Sequence, residues 1–197
     1  SDYVAVDFNA LVEVIDLLGG IEIEVTEEEA GYMNSYIDEI TGVTGKTSAH
    51  VGGGVQTLDG VQSTAYARVR YTAGWDFKRT ERQRLVIQKM FEKAKGASLT
   101  TLNSVLDSAL PDVSTSLGNT ELLGLMMKIG KYNLGENTGF PFEHAGVNTG
   151  NLGEVVVAVD LAANVRKLHE FLYGETDFKV SPTVQGISDT IRSQLGY

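Results

Sequence analysis

One strictly alternating segment, Ile21-Glu22-Ile23-Glu24-Val25, constrains the fold of this chain more than any other feature. Alternation of apolar and charged residues is typical of a β-strand with one buried face. The preceding stretch predicts a helix that Asn9 can cap and that Gly19-Gly20 can end, because glycine accepts positive φ angles. A short strand at Tyr3-Val4-Ala5-Val6 comes before that helix. The order strand, helix, strand predicts the α/β class, and we expect a layered α/β/α sandwich around a mixed central sheet.

The rest of the chain continues this alternation of helix and strand patterns. Apolar residues recur at helical intervals between Thr80 and Lys95, and Gly96 can stop that helix. Further expected elements are helices at 99–110 and 119–132, strands at 113–117 and 154–159, and a short helix near 187–195. With 42% hydrophobic residues among 197, the chain can bury a full core. We expect one domain over residues 1–197, with a motif-bearing part at 3–96, a remaining core at 97–175 and a loosely structured tail at 176–197.

Positive charge is concentrated in one short part of an acidic protein. The net charge is −10, yet nine of the sixteen lysine and arginine residues lie between residues 68 and 95. Residues 1–67 contain twelve acidic residues and a single basic one, Lys46. Such a local concentration favours a site for a discrete anion over a general affinity for polyanions. The alternative is a helix whose solvated face happens to be basic.

Two arginine-bearing stretches have the spacing that an anion site needs. In an extended segment, Arg68 and Arg70 project to the same side. On the following helix, residues three or four apart share one face, which here carries Asp76, Arg79, Arg82 and Gln83. If the two stretches meet, guanidinium groups converge with a carboxylate and an amide, and guanidinium forks match phosphate oxygens in pairs. The alternative is a set of exposed ion pairs, each of which contributes about 0–1 kcal/mol.

Several segments together resemble the signature of a known family. They are Leu58-Asp59-Gly60, Ala65-Tyr66-Ala67-Arg68-Val69-Arg70, Asp76-Phe77 and Arg79-Thr80-Glu81-Arg82-Gln83-Arg84, preceded by Val6-Asp7-Phe8 and Ile15-Asp16-Leu17-Leu18-Gly19-Gly20-Ile21. The family with this pattern of residue types and spacing is the LytR–CpsA–Psr family. The resemblance covers residues 3–96, whereas residues 97–197 are similar to the variable region that follows the motif.

The resemblance implies a phosphotransferase of the cell envelope. Members of the family transfer a polyprenyl-pyrophosphate-linked glycopolymer, a teichoic acid or capsular polysaccharide, onto peptidoglycan at the extracytoplasmic face of the bacterial membrane. By resemblance, the residues that would hold the pyrophosphate are Arg68, Arg70, Arg79, Arg82 and Gln83. Asp76 would orient an arginine or help to activate the acceptor hydroxyl, so Asp76 and Arg79 are the expected catalytic residues. The lipid tail would need an apolar tunnel between the sheet and the helices.

One part of the family pattern has no counterpart before Tyr3. Family members carry an amino-terminal half with a Ser-Asp motif and an arginine, which supply carboxylates for Mg²⁺ and a further phosphate contact. The resemblance therefore implies Mg²⁺ with ligands outside this chain, a sheet that is incomplete at its amino-terminal side, and a membrane anchor elsewhere in the full-length protein. An uncovered sheet edge favours pairing with a second copy, so we also expect a homodimer.

Two other functions stay open at this stage. A non-catalytic module could keep the arginine cluster in order to bind polyprenyl phosphates or an anionic wall polymer, and the missing amino-terminal motifs favour it. A DNA-binding regulator should present an extended basic face, often with a high isoelectric point. The isoelectric point of this sequence is ≈ 4.7, so we expect no nucleic-acid partner.

Acidic residues outside the cluster have simpler expected roles. We expect Asp7 and Asp16 to cap or orient local backbone rather than to bind metal. The run Glu27-Glu28-Glu29 is expected to be the solvated start of a helix, where negative charge complements the helix macrodipole.

Overall fold

The structure is a computed structural model that describes residues 2–72, 75–148, 150 and 153–195. The chain divides into two units, residues 1–137 and residues 138–197. Each unit has its own helices and its own antiparallel strand pairs. The single domain expected over residues 1–197 stays a prediction.

The first unit mixes helices with short strands. Its helices are α1 (Phe8–Leu17), α2 (Glu27–Thr44), α3 (Gly60–Arg68), α4 (Trp75–Gly96), α5 (Leu99–Ala109) and α6 (Asn119–Met126). Its strands are β1 (Val4–Val6), β2 (Ile21–Val25), β3 (Gly54–Leu58) and β4 (Val113–Thr115). Short 3₁₀ helices at Leu110–Asp112 and Ile129–Lys131 follow α5 and α6. This content confirms the expected α/β class.

The pairing of the strands differs from the expected sheet. β1 pairs antiparallel with β4, and Val4 lies opposite Thr115. β2 pairs antiparallel with β3, and Ile21 lies opposite Leu58. Within the described residues, separate two-stranded antiparallel sheets therefore take the place of a mixed central sheet. Alternation determines which face of a strand is buried, whereas the partner strand depends on distant parts of the chain.

β2 and the helices around it form the core of the first unit. Ile21, Ile23 and Val25 are almost completely buried, while Glu22 and Glu24 are exposed, which confirms the interpretation of the alternating segment. The same cluster contains buried side chains of α1, α2, α3 and α4, among them Val12, Ile15, Met33, Ile37, Ile40, Val61, Ala65 and Val86. Burial of an apolar side chain of this size contributes about 1.5–3 kcal/mol, so this cluster holds the four helices around β2.

The ends of α1 show how local sequence delimits a helix. The amino-terminal cap is Asp7 and not the expected Asn9, because the Asp7 Oδ1 atom accepts a hydrogen bond from the Ala10 N–H group at 2.9 Å. Asn9 lies inside the helix. Gly19 and Gly20 follow the helix with φ angles of 80° and 76°, which confirms them as its end.

A close approach of backbones joins α1 to α3. The Asp16 Oδ1 atom accepts a hydrogen bond from the Gly60 N–H group at 2.7 Å. A Cβ atom on Gly60 would lie 2.1 Å from the carbonyl oxygen of Val12, so only glycine fits at this contact. The expectation that Asp7 and Asp16 cap or orient backbone is confirmed. The contact holds the first residue of α3 against α1.

The second unit consists of two strands followed by two helices. These are β5 (His144–Asn148), β6 (Glu154–Ala158), α7 (Leu161–Tyr173) and α8 (Pro182–Leu195). β5 pairs antiparallel with β6, and His144 lies opposite Ala158. Asp160 caps α7, because its Oδ1 atom accepts hydrogen bonds from the Ala163 N–H group at 2.8 Å and the Ser188 hydroxyl group at 3.1 Å.

Helix α8 occupies most of the tail that was expected to be loosely structured. The Ser181 hydroxyl oxygen accepts a hydrogen bond from the Val184 N–H group at 3.2 Å, as an amino-terminal cap does. Pro182 stands at the first helical position, where a missing N–H group is tolerated. This Ser-Pro start is a helix signal that apolar periodicity alone does not reveal. Among the described residues, no helix combines the length and the apolar character that a membrane span needs.

Candidate anion-binding site

The two arginine-bearing stretches meet at the carboxylate of Asp76. Arg70 follows α3, while Asp76 and Arg79 lie in the first two turns of α4. The Arg70 Nη2 atom donates a hydrogen bond to Asp76 Oδ2 at 3.0 Å, and its Nε atom lies 3.0 Å from Oδ1. Arg79 Nη2 also lies 3.0 Å from Asp76 Oδ1. The expected convergence of guanidinium groups with a carboxylate is therefore present for these three residues.

Arg70 and Arg79 have more N–H donors than Asp76 can accept from. Its Oδ1 atom is buried, yet no donor among the described residues meets it with hydrogen-bond geometry, although two guanidinium nitrogen atoms lie at 3.0 Å. The Arg70 and Arg79 side chains are 47% and 35% exposed, respectively. A guanidinium group has further N–H donors beyond those aimed at one carboxylate. The pair can therefore contact an anion from the solvent side while Asp76 keeps the two like charges together.

Gln83 lies on the same face of α4, four residues after Arg79. Its side chain is exposed. Among the described residues it has no hydrogen-bond partner, so its amide group is available to a ligand near the arginine pair. This placement agrees with the predicted role without testing it.

Arg68 belongs to a different neighbourhood. It ends α3, and its Nη2 atom donates a hydrogen bond to Glu39 Oε1 of α2 at 3.0 Å. Its guanidinium carbon lies 4.8 Å from the ring centre of Tyr36 and 5.2 Å from that of Phe8. Such cation–π contacts contribute about 0.5–1 kcal/mol at exposed sites. The structure therefore places Arg68 against α1 and α2, and not at the carboxylate of Asp76.

Arg82 is buried rather than open to a ligand. Its side chain is 6% exposed. Its guanidinium group donates hydrogen bonds to Glu29 Oε1 at 2.8 Å, to the Val69 carbonyl oxygen at 3.0 Å and to Thr72 Oγ1 at 2.5 Å. This placement departs from the predicted pyrophosphate contact, because the guanidinium group is occupied on all three nitrogen atoms. Helical spacing put Arg82 near Arg79 but could not show that a buried carboxylate would draw it inward.

Glu29 is the residue at this site that the sequence reasoning missed. Its Oε2 atom accepts hydrogen bonds from the Thr26 N–H group at 2.9 Å and the Thr26 hydroxyl group at 3.0 Å, while Oε1 binds Arg82. Glu27 and Glu28 are exposed, as expected for a solvated helix start, but Glu29 is only 9% exposed. The spacing of Thr26 and Glu29 is that of a capping box, and this pattern could have singled out Glu29.

Burial and hydrogen bonding have opposite effects on the ionisation of Glu29. Burial by itself raises the pKa of Glu29, but the hydrogen bonds from Thr26 and Arg82 outweigh burial and leave the pKa below its ordinary value. The pKa of the neighbouring Tyr66 phenol shifts in the other direction. Burial, followed by the negative charge of Glu29, raises the pKa of Tyr66 to about 12. Glu29 is therefore an anion and Tyr66 a neutral phenol at physiological pH.

An apolar groove of about 260 Å³ lies further along α4. Its lining is almost entirely apolar and comes from α1, α4, α5, α6 and the 3₁₀ helix after α6: Val14, Leu18, Ile87, Met90, Phe91, Ala94, Leu102, Val105, Met126 and Ile129. Three of these residues continue the spacing of the polar residues on α4, because Asp76, Arg79 and Gln83 are followed at steps of three or four by Ile87, Met90 and Ala94. One face of α4 is thus polar in its first half and apolar in its second. At 1.5 Å per residue, Arg79 and Met90 are about 16 Å apart along the axis.

The described residues do not supply a magnesium site by themselves. Mg²⁺ prefers carboxylate and other oxygen ligands in octahedral geometry. The carboxylate of Asp76 already lies against two guanidinium groups. No group of three or more His, Cys, Asp or Glu side chains with metal-binding geometry occurs in the part of the chain that the structure describes. The expectation of Mg²⁺ ligands outside this chain stays a prediction.

Comparison with known proteins gives consistent relatives. TagV of Bacillus subtilis (strain 168), a polyisoprenyl-teichoic acid–peptidoglycan teichoic acid transferase, is 29% identical over 125 residues, which cover 62% of this chain and 30% of TagV. A transcriptional regulator from Enterococcus faecalis has a similar fold, with a TM-score of 0.62 and 20% identity over 98% of this chain and 66% of that one. TagT bound to LI-WTA has a TM-score of 0.55 and 19% identity, over 100% of this chain and 61% of that one.

The solved structures show that the chain shares their fold. The chain spans less than one third of the length of TagV, so it corresponds to a part of that protein. The sequence pattern of the LytR_cpsA_psr family matches residues 1–148, which include both arginine-bearing stretches and the helices that carry them. The chain therefore belongs to the LytR_cpsA_psr family.

Proposed function

We propose that this chain is part of a cell-envelope phosphotransferase that moves a polyprenyl-pyrophosphate-linked glycopolymer onto peptidoglycan. The observation that carries the proposal is the face of α4, on which the arginine pair at Asp76 is followed by an apolar groove. A prenyl pyrophosphate has the same order, an anionic head and then an apolar chain. The name of the relative TagV, and the ligand bound to TagT, support a teichoic acid as the polymer, and a capsular polysaccharide is the other polymer class that we expect.

In this proposal the guanidinium groups of Arg70 and Arg79 bind the pyrophosphate. Fixed positive charge stabilises the negative charge that develops on a leaving phosphate. Gln83 adds an amide contact, whereas Arg68 would bind the pyrophosphate only if its side chain left Glu39. The acceptor hydroxyl oxygen attacks the sugar-side phosphorus in line. The new bond is between that oxygen and phosphorus, the bond to the bridging oxygen breaks, and polyprenyl phosphate leaves.

Asp76 has two roles in the proposal. It holds Arg70 and Arg79 at one place, and it accepts the proton of the acceptor hydroxyl as attack proceeds. General-base catalysis of this kind contributes about 10²–10⁴-fold to a rate. Arg82 has no direct contact with the pyrophosphate in this scheme.

The remaining parts of the enzyme lie outside the described residues in this proposal. They are the ligands of Mg²⁺, a membrane anchor, and the strands that complete the sheet at its amino-terminal side. We place the active protein at the extracytoplasmic face of the bacterial membrane, where a lipid-linked polymer and peptidoglycan meet. A homodimer stays part of the proposal, because a strand with an open edge can pair with a second copy.

A binding module without catalysis is the second candidate. It is favoured by one observation, which is that both oxygen atoms of the Asp76 carboxylate already lie 3.0 Å from guanidinium nitrogen atoms of Arg70 or Arg79. Such a module would bind a polyprenyl phosphate or an anionic wall polymer and release it unchanged. A DNA-binding role has less support, because the isoelectric point is ≈ 4.7 and the arginine side chains of α3 and α4 face several directions.

Calorimetry with geranylgeranyl pyrophosphate tests the anion site, and a transfer assay with the full-length protein tests catalysis. We expect Arg70→Ala and Arg79→Ala to weaken binding by roughly tenfold to a hundredfold, since each removes charge-assisted hydrogen bonds. Arg84→Ala is the matched control, because Arg84 lies on the same helix and bonds to Asn137 instead. Unchanged binding in both site variants rejects the proposal. Binding without turnover in the full-length protein, with or without added Mg²⁺, favours the module.

A further inference from the structure

Arg82 holds the short segment that carries Arg70. Its Nη1 atom donates to the Val69 carbonyl oxygen at 3.0 Å, and its Nη2 atom donates to Thr72 Oγ1 at 2.5 Å. These two acceptors stand on either side of Arg70 in the chain. Val69 and Thr72 are buried, whereas Arg70 itself is exposed. The Arg82 guanidinium group thus holds the chain on both sides of Arg70 and leaves the Arg70 side chain at the surface. We call these two hydrogen bonds, to Val69 and Thr72, the clamp.

Glu29 holds Arg82 in turn. The Glu29 Oε1 atom accepts from Arg82 Nε at 2.8 Å, and the Oε2 atom is bound by both donors of Thr26. Both carboxylate oxygen atoms of Glu29 therefore have hydrogen-bond partners, which restrict its side chain. A continuous series of hydrogen bonds runs from the first turn of α2, through Glu29 and Arg82, to the residues that flank Arg70.

We infer that Arg82 and Glu29 are positioning residues, which hold Arg70 in the place where it binds the pyrophosphate beside Arg79. The inference rests on the proposed function, because it assigns a role within the same anion site. A long arginine side chain on a mobile segment would lose conformational entropy on each binding event, and a segment that is already held avoids part of that loss. Neither Arg82 nor Glu29 needs to touch the ligand for this effect.

The single variant Arg82→Met is a poor test, since it leaves the Glu29 carboxylate buried without a partner and can prevent folding. The double variant Glu29→Met/Arg82→Met avoids this problem. Replacement of a buried ion pair by apolar residues of similar volume is often neutral or stabilising. Glu28→Met/Arg84→Met is the matched control, because it removes one acid and one base from the same two helices at positions outside the clamp.

Binding of geranylgeranyl pyrophosphate by calorimetry is the first measurement. We expect the Glu29→Met/Arg82→Met protein to be folded by circular dichroism and to bind roughly tenfold to a hundredfold more weakly, whereas the control pair binds like the wild type. If the clamp acts through Arg70, the triple variant with Arg70→Ala binds no more weakly than Arg70→Ala alone. Losses that simply add in the triple variant overturn the inference, since they mean that Arg82 acts independently of Arg70.

Amide hydrogen exchange of residues 69–72 is the second measurement and needs no ligand. We expect faster exchange there in the Glu29→Met/Arg82→Met protein than in the wild type or the control pair. Unchanged exchange overturns the inference even if binding falls. If the wild type binds no pyrophosphate, the proposed function fails, while the exchange result still decides whether Arg82 holds the segment.

Discussion

Arg70 and Asp76 form a two-pronged contact across the connection between α3 and α4, with Nη2 and Nε of Arg70 each 3.0 Å from a carboxylate oxygen. The Oδ1 atom of Asp76, which contacts Arg70 Nε, also lies 3.0 Å from Nη2 of Arg79, one helical turn after Asp76. The carboxylate therefore offsets the repulsion between two guanidinium groups and keeps both at the surface. An anion bound at this point would contact two guanidinium groups that one carboxylate holds together.

The first prediction separates the two roles of Asp76. Asp76→Asn keeps the size of the side chain but removes a negative charge that competes with the ligand. We expect Asp76→Asn to bind geranylgeranyl pyrophosphate within about tenfold of the wild type, because the more positive site offsets the loss of the ionic contact that holds Arg70 and Arg79 together. We expect kcat of transfer by the full-length protein to fall by about 10²-fold or more, because the proton acceptor is gone. Full transfer activity in Asp76→Asn would exclude the base role.

The second prediction concerns the apolar groove on α4. Ile87 lines the groove and is 59% exposed, so Ile87→Gln should alter the groove without unfolding the protein. We expect weaker binding of geranylgeranyl pyrophosphate, by roughly tenfold, because apolar contact with the prenyl chain is lost. Binding of inorganic pyrophosphate should not change. Val43→Gln is the control, because Val43 is an exposed apolar residue of α2 that does not line the groove. If Ile87→Gln binds geranylgeranyl pyrophosphate as tightly as the wild type does, the prenyl chain lies elsewhere.

The third prediction concerns the backbone contact between α1 and α3. Gly60→Ala would put a Cβ atom 2.1 Å from the Val12 carbonyl oxygen, and neither backbone can move without disturbing the core. We expect a loss of about 1–3 kcal/mol in the free energy of unfolding, as for other overpacked sites. Gly31→Ala is the matched control, since Gly31 lies within α2 with no atom near its Cβ position. There alanine should stabilise by about 0.5–1 kcal/mol. Denaturant titration measures both, and a neutral Gly60→Ala would contradict the close contact.

The fourth prediction concerns pH and the cap of α7. The hydrogen bond from the Ala163 N–H group, with further contributions from Ser188 and Arg192, holds the pKa of Asp160 below its ordinary value despite the opposing effect of burial. A lowered folded-state pKa stabilises α7 above the unfolded pKa of about 3.9, and this contribution is lost as pH falls through the folded value. We expect the protection of α7 amides against hydrogen exchange, corrected for intrinsic rates, to fall in the wild type between about pH 5 and pH 2.

Two variants check the origin of that pH dependence. Asp160→Asn keeps a good cap acceptor but cannot titrate, so its α7 protection should change less over the same range. Asp160→Ala removes the cap, so its free energy of unfolding should fall by about 1 kcal/mol at neutral pH as well. The same loss of protection at low pH in Asp160→Asn and in the wild type would assign the effect to another group.

Several features of the fold could be predicted because their causes are local. The alternation at Ile21–Val25 determines which side of β2 is buried, and Gly19 and Gly20 end α1 because they accept positive φ. Helical spacing places Asp76 and Arg79 on one face of α4, where the ion pair now lies. The family signature predicted the same residues. Each of these depends on residues within a few turns of one another.

The errors come from choices that the local patterns leave open. β1 pairs with β4, more than one hundred residues later, and alternation cannot identify such a partner. Asp7 and Asn9 are both good capping residues, and the sequence does not say which one the chain uses. The last helix begins at Pro182 and not near Ile187 as expected, because the Ser181-Pro182 start carries no apolar periodicity.

Sequence alone determined the buried face of β2, the end of α1 at Gly19-Gly20 and the clustering of arginine residues, since these follow from propensity and spacing within short segments. Only the tertiary structure decided that Arg79 stays at the surface beside Asp76 while Arg82, one turn later, is buried against Glu29. The two arginines have the same chemistry and the same helix. Their difference arises because the buried Glu29 carboxylate of α2 lies 2.8 Å from Arg82, and burial of a charge is tolerated only where such a partner is present.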